Sequence, residues 1–338
     1  MSVFNTPAPN LSKKEIQLIV QGNYKLSVDA LNLTGERDQN FFLIDTSGNE
    51  YILKVFNSAE EVAVVEMQSQ AMLHVAQLDS SIQVSSHVKT MDGSDILEYI
   101  HDNTAHMIRV VNNIPGRFLK DIDHSAVSLS ALGAFMGKLD HALSGFHHPA
   151  AKREFPWDIR CIGFIETHLS ELGDGHKKSL VDHFLNQYKQ NILPNETQLR
   201  KAVIHNDGND HNVLVNESGN TTAIIDFGDM VHTFIACEPA VCIAYMVLDK
   251  KDPFDAAAQV LDGYHQVFPL SRDELMAVIY LVCIRSCITV TMAAYRKKLF
   301  PDNDYISVSD RQAWEFLTYM HKADLNDWAE KLLQYVNS

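Results

Sequence analysis

Residues 202–215 read AVIHNDGNDHNVLV. The eight central residues, His205 to Asn212, comprise two histidines, two aspartates, three asparagines and one glycine, and apolar runs flank them on both sides. The segment TTAIIDFGD, which follows the turn signal NESGN, predicts the returning strand of a hairpin. Because packing alone does not require so many hydrogen-bonding groups between buried strands, this loop is predicted to bind or to catalyse.

The hairpin is expected to gather three oxygen-bearing side chains. Pairing its strands brings Asp226, at the end of the second strand, beside the loop that carries Asp207 and Asn212. Carboxylate and amide oxygens suit Mg²⁺, so Asn212 and Asp226 are the predicted metal ligands. Asp207 is then left to accept a proton from an attacking hydroxyl. This set predicts phosphoryl transfer, in which catalysis is mostly positioning and neutralisation of charge.

The N-terminal part of the chain supplies a candidate phosphate-binding lysine. The segments FFLIDT and EYILKVFN flank the turn signal SGN and predict a hairpin, with Lys54 in its second strand. A helix predicted over residues 59–77 offers Glu66 as a partner for Lys54. A lysine held in this way presents a point charge to the α- and β-phosphates of a nucleotide.

The pattern of elements predicts an α+β protein. Extended segments with one main helix run to about residue 111, and the proline and glycine of NNIPGRF predict the end of regular structure there. Helical patterns dominate afterwards, interrupted by the polar hairpin. The predicted domains are an N-terminal nucleotide-binding lobe at 1–111, a connector at 112–116 and a helical C-terminal lobe at 117–338, which contains the catalytic hairpin and the acceptor site.

The composition of the chain limits the classes of molecule that it is expected to bind. The 338 residues carry a formal net charge of −15, which disfavours nucleic acid and anionic membranes and suits a cationic substrate. The longest apolar stretch, Ala277 to Ala294, is interrupted by Arg285 and reads as a core helix. The N-terminus lacks the pattern of a signal peptide, and the five cysteines form no CxxC motif. A cytoplasmic protein is expected, and its oligomeric state is left open.

The polar hairpin also carries a resemblance. The pattern H-x-D-x-x-x-x-N followed by I-D-F-G, formed by His205, Asp207, Asn212 and Asp226, resembles the aminoglycoside phosphotransferase/choline kinase family. The resemblance covers about residues 20–330 and implies a bilobal protein-kinase-like fold, with a small antiparallel-sheet lobe and a large helical lobe. It is most similar to the hydroxylysine kinase branch, some relatives of which are fused to class III aminotransferases. The stretches that carry this second step are GERDQNFFL, YILKVFN, VVEMQSQAM, VVNNIPGR and IDFGDMVHT.

The resemblance implies a kinase that moves the γ-phosphate of ATP or GTP, with Mg²⁺, to a hydroxyl of a small amine-bearing metabolite. A 5-hydroxylysine-like acceptor is favoured; homoserine, choline, ethanolamine and aminoglycosides compete. It also implies that His205 braces the loop and that the backbone near Val110 and Asn112 hydrogen-bonds the purine. The chain departs from the general kinase pattern because no G-x-G-x-x-G precedes Lys54. Gly35, in LTGERDQNF, leaves open whether that loop contacts phosphates.

Each of three residues has either a structural role or a role in binding the acceptor. Arg285, alone in an apolar helix, either forms an internal ion pair or grips a substrate carboxylate, because burying an unpaired charge is costly. Trp157 either belongs to the core or lies near the substrate. Asp229 either braces the loop or lines the acceptor pocket.

Two other classes of function remain as alternatives. His205, Asp207 and His211 are a possible zinc cluster of a hydrolase, but this leaves Lys54 and the IDFG turn unexplained. A nucleotide-binding pseudokinase is the non-enzyme alternative, and the complete set of kinase side chains argues against it.

Overall fold

The computed structural model of the protein describes residues 2–173, 175–301 and 310–338, and the chain divides into two compact units. The first unit comprises the chain up to Leu73 together with Val84–Pro115, and the second comprises His74–Gln83 and Gly116–Ser338. The elements that start in the first unit are α1 (Lys13–Tyr24), β1 (Val28–Leu33), β2 (Gln39–Asp45), β3 (Glu50–Val55), α2 (Val62–Leu78), β4 (Leu97–His101) and β5 (Thr104–Asn112).

The first unit is built on a five-stranded antiparallel sheet in the order β1-β2-β3-β5-β4. The β2–β3 hairpin turns where the sequence predicts it, at Ser47 and Gly48, and Gly48 has a φ of +84°. The carboxylate of Asp45 accepts hydrogen bonds from the backbone N–H groups of Ser47 and Asn49, which fixes the turn.

The two faces of this sheet have different characters. On one face Leu53, Val55, Ile108 and Val110 are buried against α1. The alternate residues of the same strands, among them Lys54, point to the opposite face because side chains alternate along a strand. The apolar face stabilises the unit, which leaves the opposite face available for function.

The second unit is mainly helical. Its elements are β6 (Arg117–Phe118), α3 (Ala126–Leu143), α4 (Gly163–His168), α5 (Gly175–Asn191), β7 (Lys201–Ile204), β8 (Val213–Val215), β9 (Thr221–Ile224), β10 (Val231–Phe234), α6 (Cys237–Met246), α7 (Pro253–Val267), α8 (Arg272–Leu299), α9 (Asp310–Met320) and α10 (Leu325–Val336). Two small sheets, β10-β7 and β6-β8-β9, carry the polar loop. The α+β class predicted from the sequence is confirmed.

Helix α8 is the core of the second unit. By length and composition it is apolar enough to cross a membrane, but 89% of its most apolar window is buried inside the protein. It packs against α5, α6, α9 and α10. It is therefore a core helix, as its interrupted apolar pattern predicts.

Two predicted elements differ in the structure. Helix α2 begins at Val62, three residues later than predicted, because the Asn57 side chain accepts from the N–H of Ala59 and holds a turn there. The segment at 82–89 lies in the region where extended segments were predicted, but it forms only isolated bridges, from Gln83 to Ala223 and from His87 to Val111.

Candidate active site

The β8–β9 hairpin brings the predicted oxygen ligands together. Val213 pairs with Ile224, and the N–H of Ile225 donates to the carbonyl of Asn212 at 2.9 Å. Asp226 is the next residue, so it lies beside Asn212. Asp226 has a φ of +57°, and its exposed carboxylate accepts from the N–H of Gly228 at 3.2 Å. This left-handed turn reverses the chain directly after the strand and presents the carboxylate at its end.

Asp207 is held by three donors. The Nδ2 atoms of Asn212 and Asn209 lie 2.6 Å and 2.8 Å from its Oδ2 and Oδ1, and Nη2 of Arg285 lies 3.4 Å from Oδ1. Burial raises the pKa of Asp207 well above its usual range, and the charge of Asp229 raises it further, while Arg285 opposes them. The result is a positioned carboxylate with raised proton affinity.

His205 is fully buried and bonded to backbone at both ring nitrogens. Its Nε2 lies 3.2 Å from the carbonyl of Ile225, and its Nδ1 accepts from the N–H of Asp207 at 3.3 Å. Burial lowers the pKa of His205 to about 4, so its ring is neutral at physiological pH. The ring therefore links the polar loop to the end of β9.

Arg285 lies on α8 with 1% of its surface exposed, although it is cationic. Its Nη1 donates to the carbonyl of Trp157 at 2.8 Å, and its guanidinium lies 4.5 Å from the centre of the Trp157 ring. Tyr245 Oη lies 3.4 Å from Nη2. Arg285 therefore has an internal ion pair, with Asp207, and this was one of its two sequence interpretations. Its Nε and the Nε1 of Trp157 are buried without a hydrogen-bond partner among the described residues.

Glu238 supports the loop from behind and was missed by the sequence reasoning. Its Oε2 accepts from the N–H of Asn206 at 3.1 Å, and its side chain is fully buried on α6. Burial raises the pKa of Glu238 to about 7. A Cβ on Gly208 would lie 2.6 Å from the sulfur of Cys242, so the loop packs tightly on α6. A lone acid within the apolar sequence CEPAVCIAYM was the available signal.

Of the remaining residues near the polar loop, Asp229 is buried and hydrogen-bonded to the loop, whereas His211 is exposed to solvent. Asp229 is 5% exposed, and its carbonyl accepts from Nδ2 of Asn206 at 3.2 Å. His211 is exposed. Within the described ranges, the structure contains no group of three or more His, Cys, Asp or Glu side chains placed to hold a metal. The zinc interpretation is therefore unsupported, since both ring nitrogens of His205 already contact backbone.

In the first unit, Lys54 is anchored differently from the prediction. Its Nζ lies 3.4 Å from Oδ2 of Asp38, in the loop that contains Gly35. Gly35 is required there because a Cβ would lie 2.5 Å from the carbonyl of Asp38. Glu66 is exposed, because the helical period of α2 turns Val65 and Ser69 inward instead.

The inward face of α2 holds a second cation. Arg109 pairs in register with Lys54, so both side chains lie on the same face of the sheet. Nη2 of Arg109 donates to Oε1 of Gln68 at 3.1 Å, and Nη1 donates to Oγ of Ser69 at 3.2 Å. Two positive charges therefore lie side by side on this face.

The predicted purine-binding backbone is partly engaged in strand pairing. The carbonyl of Val110 accepts from the N–H of Val88, and the N–H of Asn112 donates to the carbonyl of Ser86, both at 2.9 Å. Because β5 extends to Asn112, the sheet uses groups that the prediction assigned to the nucleotide.

The chain is similar to known phosphotransferases. The family model described as "Phosphotransferase enzyme family" matches residues 30–275. Hydroxylysine kinase of Bos taurus is 28% identical over 97% of this chain and 95% of its own length. A solved amicoumacin kinase in complex with AMP-PNP, Ca²⁺ and Ami has a TM-score of 0.71 at 16% identity and covers 93% of this chain and 95% of that one.

A second solved structure, the microcompartment-associated aminopropanol kinase, has a TM-score of 0.71 at 15% identity and covers 96% of this chain and 98% of its own. At such identities these two structures establish the fold alone. The kinase-like fold expected from the resemblance is confirmed.

Proposed function

The chain belongs to the phosphotransferase enzyme family and acts on an alcohol group of a small molecule, and from this premise we propose that it transfers the γ-phosphate of ATP or GTP to the hydroxyl of a 5-hydroxylysine-like amino acid. The observation that carries the proposal is Asp207, fixed by Asn209, Asn212 and Arg285 beside Asp226. Such a carboxylate is what an incoming hydroxyl requires as its proton acceptor.

One face of the sheet in the first unit provides a surface on which a nucleotide could bind. Phe42 pairs with Ile52, and Ile52 pairs with Val111, so these three half-buried apolar side chains form one row across the sheet. The next row, two residues or about 7 Å along the strands, contains Lys54 and Arg109. We assign the apolar row to the purine and the cationic row to the phosphates, because the two rows match the two ends of a nucleotide.

Asn212 and Asp226 fit a divalent cation. The Nδ2 of Asn212 donates to Asp207, which leaves its Oδ1 as the ligand atom, and the Asp226 carboxylate is exposed at the adjacent position. One amide oxygen and one carboxylate, completed by water and phosphate oxygens, are a typical magnesium site. When bound, Mg²⁺ would neutralise charge on the transferring phosphate.

Asp207 would take the proton. As the acceptor oxygen forms its bond to the γ-phosphorus, the hydroxyl proton passes to a carboxylate oxygen of Asp207 and the bond to the β–γ bridging oxygen breaks. The nucleoside diphosphate leaves with that electron pair, and no phosphoenzyme forms. The raised pKa of Asp207 supports this role, because a base works best when its pKa approaches the working pH.

The acceptor is assigned from the charges around Asp207. The carboxylates of Asp226 and Asp229 favour an ammonium group, and the chain carries a net charge of −15. Arg285, with a buried Nε that lacks a partner among the described residues, is the candidate for the acceptor's carboxylate. A hydroxy-amino acid combines all three groups, whereas choline, ethanolamine and aminoglycosides lack the carboxylate. Homoserine is the second candidate because it has the same groups on a shorter chain. The four free buried cysteines support a reducing, cytoplasmic setting.

The test is a coupled kinase assay with both nucleotides over hydroxy-amino acids, amino alcohols and aminoglycosides. We expect 5-hydroxylysine to have the highest kcat/KM. Asp207→Asn should lower kcat by about two to four orders of magnitude while nucleotide Kd stays unchanged. Preference for an acceptor without a carboxylate would reject the acceptor assignment, and normal turnover by Asp207→Asn would reject the assigned base.

A further inference from the structure

One imidazole extends the apolar row of the first unit. His87 forms a bridge with Val111, bounded by the hydrogen bonds from Val88 to Val110 and from Asn112 to Ser86. This pattern makes His87 and Val111 a non-hydrogen-bonded antiparallel pair, in which side chains lie on the same face and especially close. The row of Phe42, Ile52 and Val111 therefore ends in His87.

The ring of His87 has no hydrogen-bond partner in the part of the chain that the structure describes. Its Nδ1 and Nε2 are both buried, and neither has a hydrogen-bond partner within residues 2–173, 175–301 and 310–338. Buried polar atoms are nearly always bonded in native proteins, and leaving one unpaired is costly. Two such atoms on one ring, at the end of a row of half-buried apolar side chains, therefore require a partner other than the described residues.

We propose that His87 reads the exocyclic group at position 6 of the purine, an inference that rests on the proposed nucleotide-dependent function. A purine stacked on the apolar row exposes hydrogen-bonding groups only at its edges. Adenine carries an amino donor at position 6 and guanine carries an oxo acceptor there. A neutral imidazole has one donor and one acceptor nitrogen, so it serves either base by exchanging tautomers.

The surroundings of His87 keep the ring in the required form. Burial lowers its pKa, and the neighbouring charge of Arg109 lowers it further, whereas Asp95 acts in the opposite direction. The ring is thus neutral at physiological pH, with one nitrogen free to accept.

The experiment compares kcat/KM and Kd for ATP, GTP and the triphosphate of purine riboside, which lacks a substituent at position 6. The wild type should prefer ATP over this analogue by about three- to tenfold, the worth of one hydrogen bond. His87→Phe should abolish this preference, and His87→Gln, which keeps a donor and an acceptor, should retain it. His101→Phe, on β4 of the same sheet, is the matched control and should behave as wild type.

Equal losses with all three nucleotides in His87→Phe would mean a structural role and overturn the proposal, as would an unchanged preference for ATP. If 7-deaza-ATP has a lower kcat/KM than ATP with the wild type but not with His87→Phe, the contact is to N7, and the assignment to position 6 is overturned. A wild-type chain that binds nucleotides with the expected preference but phosphorylates no acceptor would reject the proposed function alone. Turnover without the preference would reject the role of His87 alone.

Discussion

Replacing either of two buried glutamates in the second unit by glutamine should change stability, but only at Glu238 should the change depend on pH. Glu238 on α6 and Glu274 on α8 are both fully buried. Burial raises the pKa of Glu238 from 4.5 to about 7, while Glu274, buried as well, has a lowered pKa because Arg200 binds it with Nη2 at 2.7 Å from Oε2. Glu238→Gln keeps an oxygen for the N–H of Asn206 and removes the titration.

The size of the effect follows from linkage. The pKa of Glu238 is higher in the folded than in the unfolded state by about 2.5. Each pKa unit corresponds to about 1.4 kcal/mol, so protonation of Glu238 contributes about 3 kcal/mol to the free energy of unfolding. Because the pKa is raised, this stabilisation is complete below pH 4.5 and is lost as the pH rises through 7. As the pH rises from 5 to 8, the unfolding free energy of Glu238→Gln relative to that of the wild type should therefore increase by about 2–3 kcal/mol.

Urea unfolding followed by tryptophan fluorescence measures this difference, because Trp157, Trp314 and Trp328 all lie in the second unit, as both glutamates do. Glu274→Gln is the matched control. The lowered pKa of Glu274 leaves it ionised from pH 5 to pH 8, so its loss should cost the same free energy at both. If the free-energy difference between wild type and Glu238→Gln is identical at the two pH values, the carboxyl of Glu238 does not titrate in this range and the reasoning fails.

Two other substitutions test the site itself. Arg285→Met should raise KM for a hydroxy-amino acid about tenfold more than for the matching amino alcohol, because it removes a charge-assisted contact to the carboxylate; equal increases in steady-state assays would leave Arg285 as a partner of Asp207 only. Asp226→Asn should raise the Mg²⁺ concentration for half-maximal rate by about tenfold or more, and an unchanged magnesium titration would remove Asp226 from the metal site.

The β8–β9 hairpin was predictable because the forces that form it are local. Two apolar strands and a turn signal determine that Asp226 returns beside Asn212, and the observed bond between Ile225 and Asn212 has that register. The partner of Lys54 was not predictable in the same way. It depends on how α2 is rotated over the sheet, which is decided by the packing of Val65 and Ser69 rather than by spacing along the chain.

The end of the apolar row shows a second limit. His87 reaches Val111 through a bridge of only two hydrogen bonds, so the segment around it forms no regular strand although it was predicted to be extended. The end of β5 at Asn112 agrees with the extended segments predicted to about residue 111, but the pairing of β5 with this irregular segment was hidden. Backbone groups of Val110 and Asn112 are bonded to this irregular segment, which a pattern of residue types does not reveal.

Single charges within apolar helices carry long-range information, although the sequence analysis used only that of Arg285 and missed Glu238. Glu238 and Arg285 are each fully or almost fully buried, and such burial is unfavourable unless hydrogen bonds or an opposite charge offset it. Their contacts fall on consecutive residues of one loop: Glu238 accepts from Asn206, and Arg285 donates to Asp207. Helices α6 and α8 thus hold the loop from two sides, with one anion on its backbone and one cation on its carboxylate. If the loop is catalytic as proposed, the core of the second unit supports it directly, and a neutral substitution at either charge should alter kcat even where the fold is retained.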